Sequence, residues 1–210
     1  MAGKDRSIRI GLPGLALPEQ FSLTGFDAAP KTDRLFFAIF PDAPAAAGIA
    51  GLAQRLRREH GLKADPLATE RLHITLHHLG DYAGLPQGVV AESIRAAATI
   101  AMSPFEVTFD RAMSFHGRSG NRPFVLRGGD GLVALEAFHR VLIAALHKAG
   151  LVGGRAKSQY TPHVTLLYDG ALVAERSVET VNWTVSEFVL VHSLLGRGVH
   201  VPLARWPLSV

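Results

Sequence analysis

RLHITLHHLG at residues 71–80 and TPHVTLLYDG at residues 161–170 share one core, histidine, an aliphatic residue, threonine and leucine, 90 positions apart from His73 to His163. In an extended strand, side chains two apart share a face. His73 and Thr75 therefore point one way, and so do His163 and Thr165, while Leu72, Ile74 and Leu76, like Val164 and Leu166, turn into packing. A single His-x-Thr arises readily by chance. The information lies in the pair, each copy with an aliphatic residue between and leucine after. Two such strands would line a common cleft with two imidazoles and two hydroxyls.

The surroundings of the two motifs repeat as well. RLFFAIF (34–40) is a buried strand by length and composition, and Pro41, Asp42 and Pro44 suit a helix start. Ile49, Leu52, Ala53 and Leu56 then recur at helical spacing before Gly61. Residues 72–79 read as a strand, 88–101 as a helix and 105–115 as a strand. Turn-rich residues follow to Asn121. In the second half RPFVLR (122–127) is a strand, Asp130 is a helix cap, and Leu135, Phe138, Leu142 and Leu146 mark a helix closed by Gly150. Strands are expected over 163–167 and, as one long element, over 183–193. The order strand, helix, strand, later strand thus occurs twice. It predicts an α+β fold of two related lobes, each an antiparallel sheet with flanking helices.

Composition narrows the chemistry. The 210 residues are 48% hydrophobic and 19% charged, which excludes a disordered chain. There is no cysteine, so a thiol nucleophile, a disulfide framework and cysteine-ligated metal are excluded. No apolar run reaches the roughly 18 to 20 residues of a membrane helix, so a cytoplasmic location and no membrane partner are expected. The formal net charge of +4 permits a phosphate-bearing partner without demanding one. GLPGLALPEQ (11–20) is broken by Pro13 and Pro18 and has no basic lead, which argues against a secretory signal. Residues 1–32 are expected to be a partly ordered extension, and 33–208 a single two-lobed domain.

Two imidazoles and two hydroxyls suit phosphoryl transfer without metal or cofactor. A neutral imidazole takes a proton from water, and its protonated counterpart gives one to the leaving oxygen. The threonine hydroxyls donate to phosphate oxygens, where charge accumulates.

With RLFFAIF, RLHITLHHLG, TPHVTLLYDG and the closing strand before RWPLSV in view, the chain resembles the 2H phosphoesterase superfamily over residues 33–208. The nearest branch is the RNA 2′,3′-cyclic phosphodiesterases, often called 2′-5′ RNA ligases. The resemblance implies a bilobal, pseudo-twofold fold with the active site in its central groove. It implies hydrolysis of the 2′,3′-cyclic phosphate end of RNA, or of a small cyclic nucleotide, to a 2′-phosphate, without cofactor and with no obligate protein partner. His73 and His163 then carry the acid–base work, with Thr75 and Thr165 on the phosphate. The symmetric motif does not say which histidine is the base. A nucleotide- or RNA-binding module of the same fold with little turnover, and 2′-5′ end-joining of RNA, are the competing readings.

The chain departs from the family in one place. Many members have arginine five residues after the second histidine, where this chain has Tyr168. Uninterrupted strand alternation sets Tyr168 opposite His163 and Thr165, and its ring suits either stacking on a base or packing. Tyr160 and Phe115 are further stacking candidates. Arg122, with Arg118, Arg155 and Lys157, is a candidate guide for a phosphodiester, although scattered solvated loop charge is the favoured explanation of these residues. His77 shares the parity of His73. A metal site with His78 and Asp81 lacks ligands, so a supporting role for His77 is expected. GGRAKS (153–158) follows a helix and precedes a strand, the reverse of a phosphate-binding loop.

Overall fold

A computed structural model describes residues 29–118, 120–152 and 160–209. Most of the N-terminal extension, and the GGRAKS segment with Arg155 and Lys157, lie outside these residues. Eight strands form one open antiparallel sheet: β1 (Asp33–Ile39), β2 (Ile74–Tyr82), β3 (Phe105–Ser114), β4 (Arg122–Arg127), β5 (His163–Asp169), β6 (Arg176–Val185), β7 (Glu187–Leu194) and β8 (Val199–Pro207). Their order is β6-β3-β4-β5-β2-β1-β7-β8. The two motif strands, β2 and β5, therefore sit side by side at the centre, each leading a quartet.

The quartets do not follow the halves of the chain. β1 and β2 pair outward with β7 and β8 from the C-terminus, and the middle of the chain supplies β3 to β6. The long strand expected over 183–193 is two strands separated at Ser186. β6 begins earlier, in the polar run from Arg176, and pairs with β3 as an edge strand. β8 is an additional edge strand. Alternation at both edges is masked because solvent wets much of each strand.

Three helices occur among the described residues: α1 (Ala43–Glu59), α2 (Gln87–Ala97) and α3 (Val133–Lys148). Asp42 caps α1 as expected, accepting from the Ala45 N–H at 2.8 Å, with proline in the first turn. After the helix, Gly61 takes φ +61, a backbone conformation that glycine adopts at little cost. Asp130, by contrast, lies in a 3₁₀ turn (Asp130–Leu132), and no side chain caps α3. None of these helices is long and apolar enough to cross a membrane.

The helices cover one face of the sheet. Phe37, Ile39, Ile74, Phe109, Phe124 and Val164 join Leu52, Leu56, Phe138 and Leu142 in a continuous core spanning both quartets. Phe188 of β7 meets Phe138 of α3 at 5.1 Å between ring centroids. Burying each such phenylalanine contributes about 1.5–3 kcal/mol. The opposite face carries a small cluster of Phe36, Ala38, Val189 and Val191 with Phe40 beside it. This face bears the motif histidines.

Candidate active site

β2 and β5 meet at one Cα pair, Ile74 with Val164. Both side chains are fully buried in the core, so the residues flanking each of them turn to the other face. An antiparallel register through that pair sets His73 across from Thr165 and Thr75 across from His163. The two motifs are thus brought together head to tail, and His163 lies close enough to act electrostatically on His73.

The two histidines are held by the same device. His73 Nδ1 lies 2.7 Å from the carbonyl of Arg71, and His163 Nδ1 lies 2.8 Å from the carbonyl of Thr161. A carbonyl only accepts, so each Nδ1 carries the proton and donates it, which leaves Nε2 free for chemistry. Both carbonyls belong to the residue two before the histidine. The extended backbone entering each strand therefore fixes the tautomer without help from a carboxylate.

Packing sets the electrostatics. His73 lies between Phe36 (5.1 Å), Phe40 (6.0 Å) and His200 (5.1 Å, edge to face). Burial pushes its pKa down to about 4, assisted by His200, His163 and Arg71 and opposed by the hydrogen bond to the Arg71 carbonyl. His163 packs edge to face on Phe115 at 4.9 Å, and its pKa is also lowered, first by burial and then by Arg127. Both imidazoles are consequently neutral in the free protein at pH 7. A bound phosphodiester anion reverses part of this by favouring the imidazolium.

Two cavities open on either side of Thr75. One, of about 410 Å³, is lined by Arg34, Phe36, Arg71, His73, Thr75, His78, Ser193 and His200. The other, of about 440 Å³, lies where β2 and β5 diverge, against Thr75, Phe115, His139, Ile143, Tyr160 and His163. Tyr160 stacks on His139, with centroids 3.6 Å apart and planes at 6°, and its buried hydroxyl has no partner. Thr165 shares the face of His163 but lines neither cavity.

Two bulges overturn the parity expected from the sequence. Along β4 and β5 the register steps from Val125↔Thr165 to Phe124↔Leu167, leaving Leu166 as an extra residue. Leu166 and Leu167 are both buried, and Tyr168 returns to the face of His163 with 43% exposure. It lies within electrostatic reach of Arg34 of the other quartet. Arg122 pairs with Asp169 on the opposite parity and donates to the Gly170 carbonyl, so it lines neither cavity. Along β1 and β2 the register steps from Ala38↔Thr75 to Phe37↔His77. His77 is thereby turned away from His73, and His78 takes the place on that face opposite Phe36.

Asp81 is committed elsewhere: Arg34 grips it at 2.7 and 2.8 Å and His78 Nε2 donates to it at 2.9 Å. The Arg34 fork holds its carboxyl well below the usual carboxylate range. Among the described residues no group of three or more histidine and carboxylate side chains is gathered closely enough to hold a metal ion. The residues missed from sequence are His200 and Arg71. Alternation in Val199-His200-Val201 is visible, but its neighbour across the sheet, Ser193, is not.

An antiparallel α+β sheet thus brings two backbone-anchored histidines to one face at its centre, on either side of the Ile74–Val164 pair. Residues 40–197 match the family profile described as the 2′-5′ RNA ligase superfamily. The chain belongs to that superfamily, a group of 2H phosphoesterases. Among solved structures it is similar to E. coli LigT in its apo form (26% identity, TM-score 0.64, 86% of this chain and 100% of that one). The complex of LigT with 3′-AMP gives the same identity and coverage at a TM-score of 0.60. A crystal structure described as a phosphoesterase matches at 25% identity and TM-score 0.65, over 86% of this chain and all of that one. No curated protein matches the chain.

Proposed function

We propose that the protein hydrolyses 2′,3′-cyclic phosphate, at the end of an RNA or on a small nucleotide, to a 2′-phosphate. One neutral imidazole of the His73–His163 pair takes a proton from water as its oxygen bonds to phosphorus. The protonated partner gives a proton to the ribose 3′-oxygen as the P–O3′ bond breaks. The products are a 2′-phosphate and a 3′-hydroxyl, and the exchange of protons balances. Thr75 and Thr165 donate to the non-bridging oxygens. The reaction draws on imidazole and hydroxyl groups alone.

The observation that carries this reading is the matched anchoring of the two histidines, each Nδ1 on the carbonyl two residues before it, on either side of the Ile74–Val164 pair. Such fixed tautomers suit acid–base work, worth roughly 10²- to 10⁴-fold. Membership of a superfamily of phosphoesterases and RNA ligases supports the reaction class, and the complex of LigT with 3′-AMP supports a nucleotide ligand. Tyr168 and Tyr160 are the residues proposed to meet the base, Tyr160 through its unpartnered hydroxyl.

The decisive experiment incubates purified protein in EDTA with adenosine 2′,3′-cyclic phosphate and with a cyclic-ended oligonucleotide. Appearance of the 2′-phosphate isomer is expected. Binding of these compounds without turnover would replace the enzyme with a binding module, and joining of cyclic-ended and 5′-hydroxyl RNA would favour ligation.

A further inference from the structure

The cavity beside His73 and Thr75 also carries side chains that the proposed reaction does not use. Arg71 and His200 line it with Ser193, Phe36 and the β7–β8 turn. Arg71 Nε and His200 Nδ1 are both buried without a hydrogen-bond partner. Other arginines also bury an unpartnered Nε, but Arg57 engages Asp65 and Arg127 engages Glu175. Arg71 has no carboxylate partner among the described residues, and no carboxylate lines the cavity. Arg34, which also lines it, is occupied by Asp81.

The β7–β8 turn packs beside the guanidinium. Gly198 has φ +66, and a Cβ built there would come 3.5 Å from Arg71 Nη1 and 3.8 Å from its Cζ. A larger residue would be strained by this backbone conformation, while its Cβ would meet the arginine at ordinary contact distance. The sequence thus keeps a half-buried cation and a half-buried imidazole, each with one buried nitrogen, free of acids one ring beyond His73. Leaving such donors without an acceptor disfavours the empty state, and a phosphate supplies several acceptor oxygens in the geometry a guanidinium prefers.

We propose that Arg71 and His200 form a second anion subsite, which holds a further phosphate of the substrate while the first lies between His73 and His163. The inference rests on the catalytic reading of those two histidines. It refines the substrate class to nucleotides bearing a second phosphate. That group is either a 5′-phosphate on the same nucleoside or the backbone phosphodiester that links it to the next one.

The test is a binding comparison with stable product analogues. Calorimetry on the full chain would compare adenosine 2′-monophosphate, adenosine 2′,5′-bisphosphate and an adenylyl dinucleotide ending in a 2′-phosphate. In the wild type at least one of the two bisphosphorylated ligands is expected to bind about tenfold tighter than the monophosphate. A gain for the 2′,5′-bisphosphate alone assigns a terminal phosphate; a gain that extends to the dinucleotide assigns an RNA backbone. Arg71→Gln is expected to reduce the advantage to within about twofold, Arg71→Lys to keep part of it, and His200→Phe, which preserves the ring packing on His73, to lose part of it. Because the ratio is the readout, a general weakening of binding does not imitate the result. Equal binding of all three ligands by the wild type, or an advantage that survives Arg71→Gln, overturns the subsite. Failure of the proposed function is seen separately, as absence of turnover on cyclic substrates while the bisphosphate preference persists.

Discussion

Ile74 and Val164 are Cα partners at the junction of the two strand quartets, and both side chains are fully buried beneath the histidines they separate. The junction positions His73 and His163 relative to each other, so packing there reaches the groove. Ile74→Ala is expected to cost about 2–5 kcal/mol of stability. It should also lower kcat under conditions in which the variant remains folded. Ile74→Val should cost about 0.5–1.5 kcal/mol and retain most activity. Denaturant titration together with steady-state kinetics separates the two effects. An active Ile74→Ala with a normal kcat would mean that the junction does not position the pair.

His73→Ala and His163→Ala should each lower kcat by roughly 10²- to 10⁴-fold. The far-ultraviolet circular dichroism should stay native. Groups acting as a unit are non-additive, so the double variant should be little worse than the poorer single one. Additive losses would indicate that the two imidazoles act independently.

The depressed imidazole pKa values set the expected pH dependence. In the free enzyme His73 titrates near 4, and His163 below its ordinary value. The singly protonated pair needed for acid–base work is therefore most populated on the acid side of 6.5. The bell in kcat/KM, which reports the free enzyme, should be centred below pH 6.5 and fall through neutral pH. The anionic substrate raises both values, so the kcat profile should shift to higher pH. A kcat/KM bell centred above 6.5 would contradict the burial of these rings.

Much of the site was legible before the fold was. The pair of His-aliphatic-Thr-Leu motifs placed two strands, and Asp42 with Pro44 placed the start of α1. What period-two reasoning could not carry was the far end of each motif strand. The bulges at Leu76 and Leu166 arise from pairing with β1 and β4, and a bulge resets every later side chain. His77 and Tyr168 therefore changed faces. Likewise, nothing in the polar segment from Arg176 announces a strand, because an edge strand exposed on much of its surface has no apolar alternation to read. Arg71 was hidden for a different reason: the residues it meets in the cavity, Ser193, Gly198 and His200, lie more than 120 positions away in the chain.

Buried neutral histidines also link stability to pH. His73 and His139 are both pushed down to about 4, chiefly by burial, whereas in the unfolded chain each titrates near 6.5. Above about 6.5 both states are neutral and the full stability is present. As pH falls from 6.5 towards 4, the unfolded state takes up protons that the folded state refuses, and stability is lost. Asp81 and Asp33, whose carboxyls are depressed by Arg34 and by Thr32 and His192 respectively, add losses of the same sign only below about 4. Urea titrations at intervals of pH should show the first decline between 6.5 and 4. His139→Gln should flatten it, and an unchanged slope in that variant would remove His139 from the account.

The exposed position of Tyr168 on the histidine face offers a gain-of-function test. Arginine there would add a fixed positive charge beside the groove without disturbing the core, since the side chain is 43% exposed. Tyr168→Arg should lower KM for a cyclic-ended oligonucleotide, and the gain should shrink with added salt, steepening the salt dependence by about one phosphate contact. Arg34 moderates the effect, because its charge already acts on this position from across the sheet. Two cations close together would repel, so Arg34→Gln combined with Tyr168→Arg should recover more affinity than the single effects predict by addition. Measured KM values at 50 and 200 mM salt for the four proteins decide the matter. A Tyr168→Arg variant with unchanged KM and an unchanged salt slope would show that the tyrosine lies off the path of the substrate phosphates.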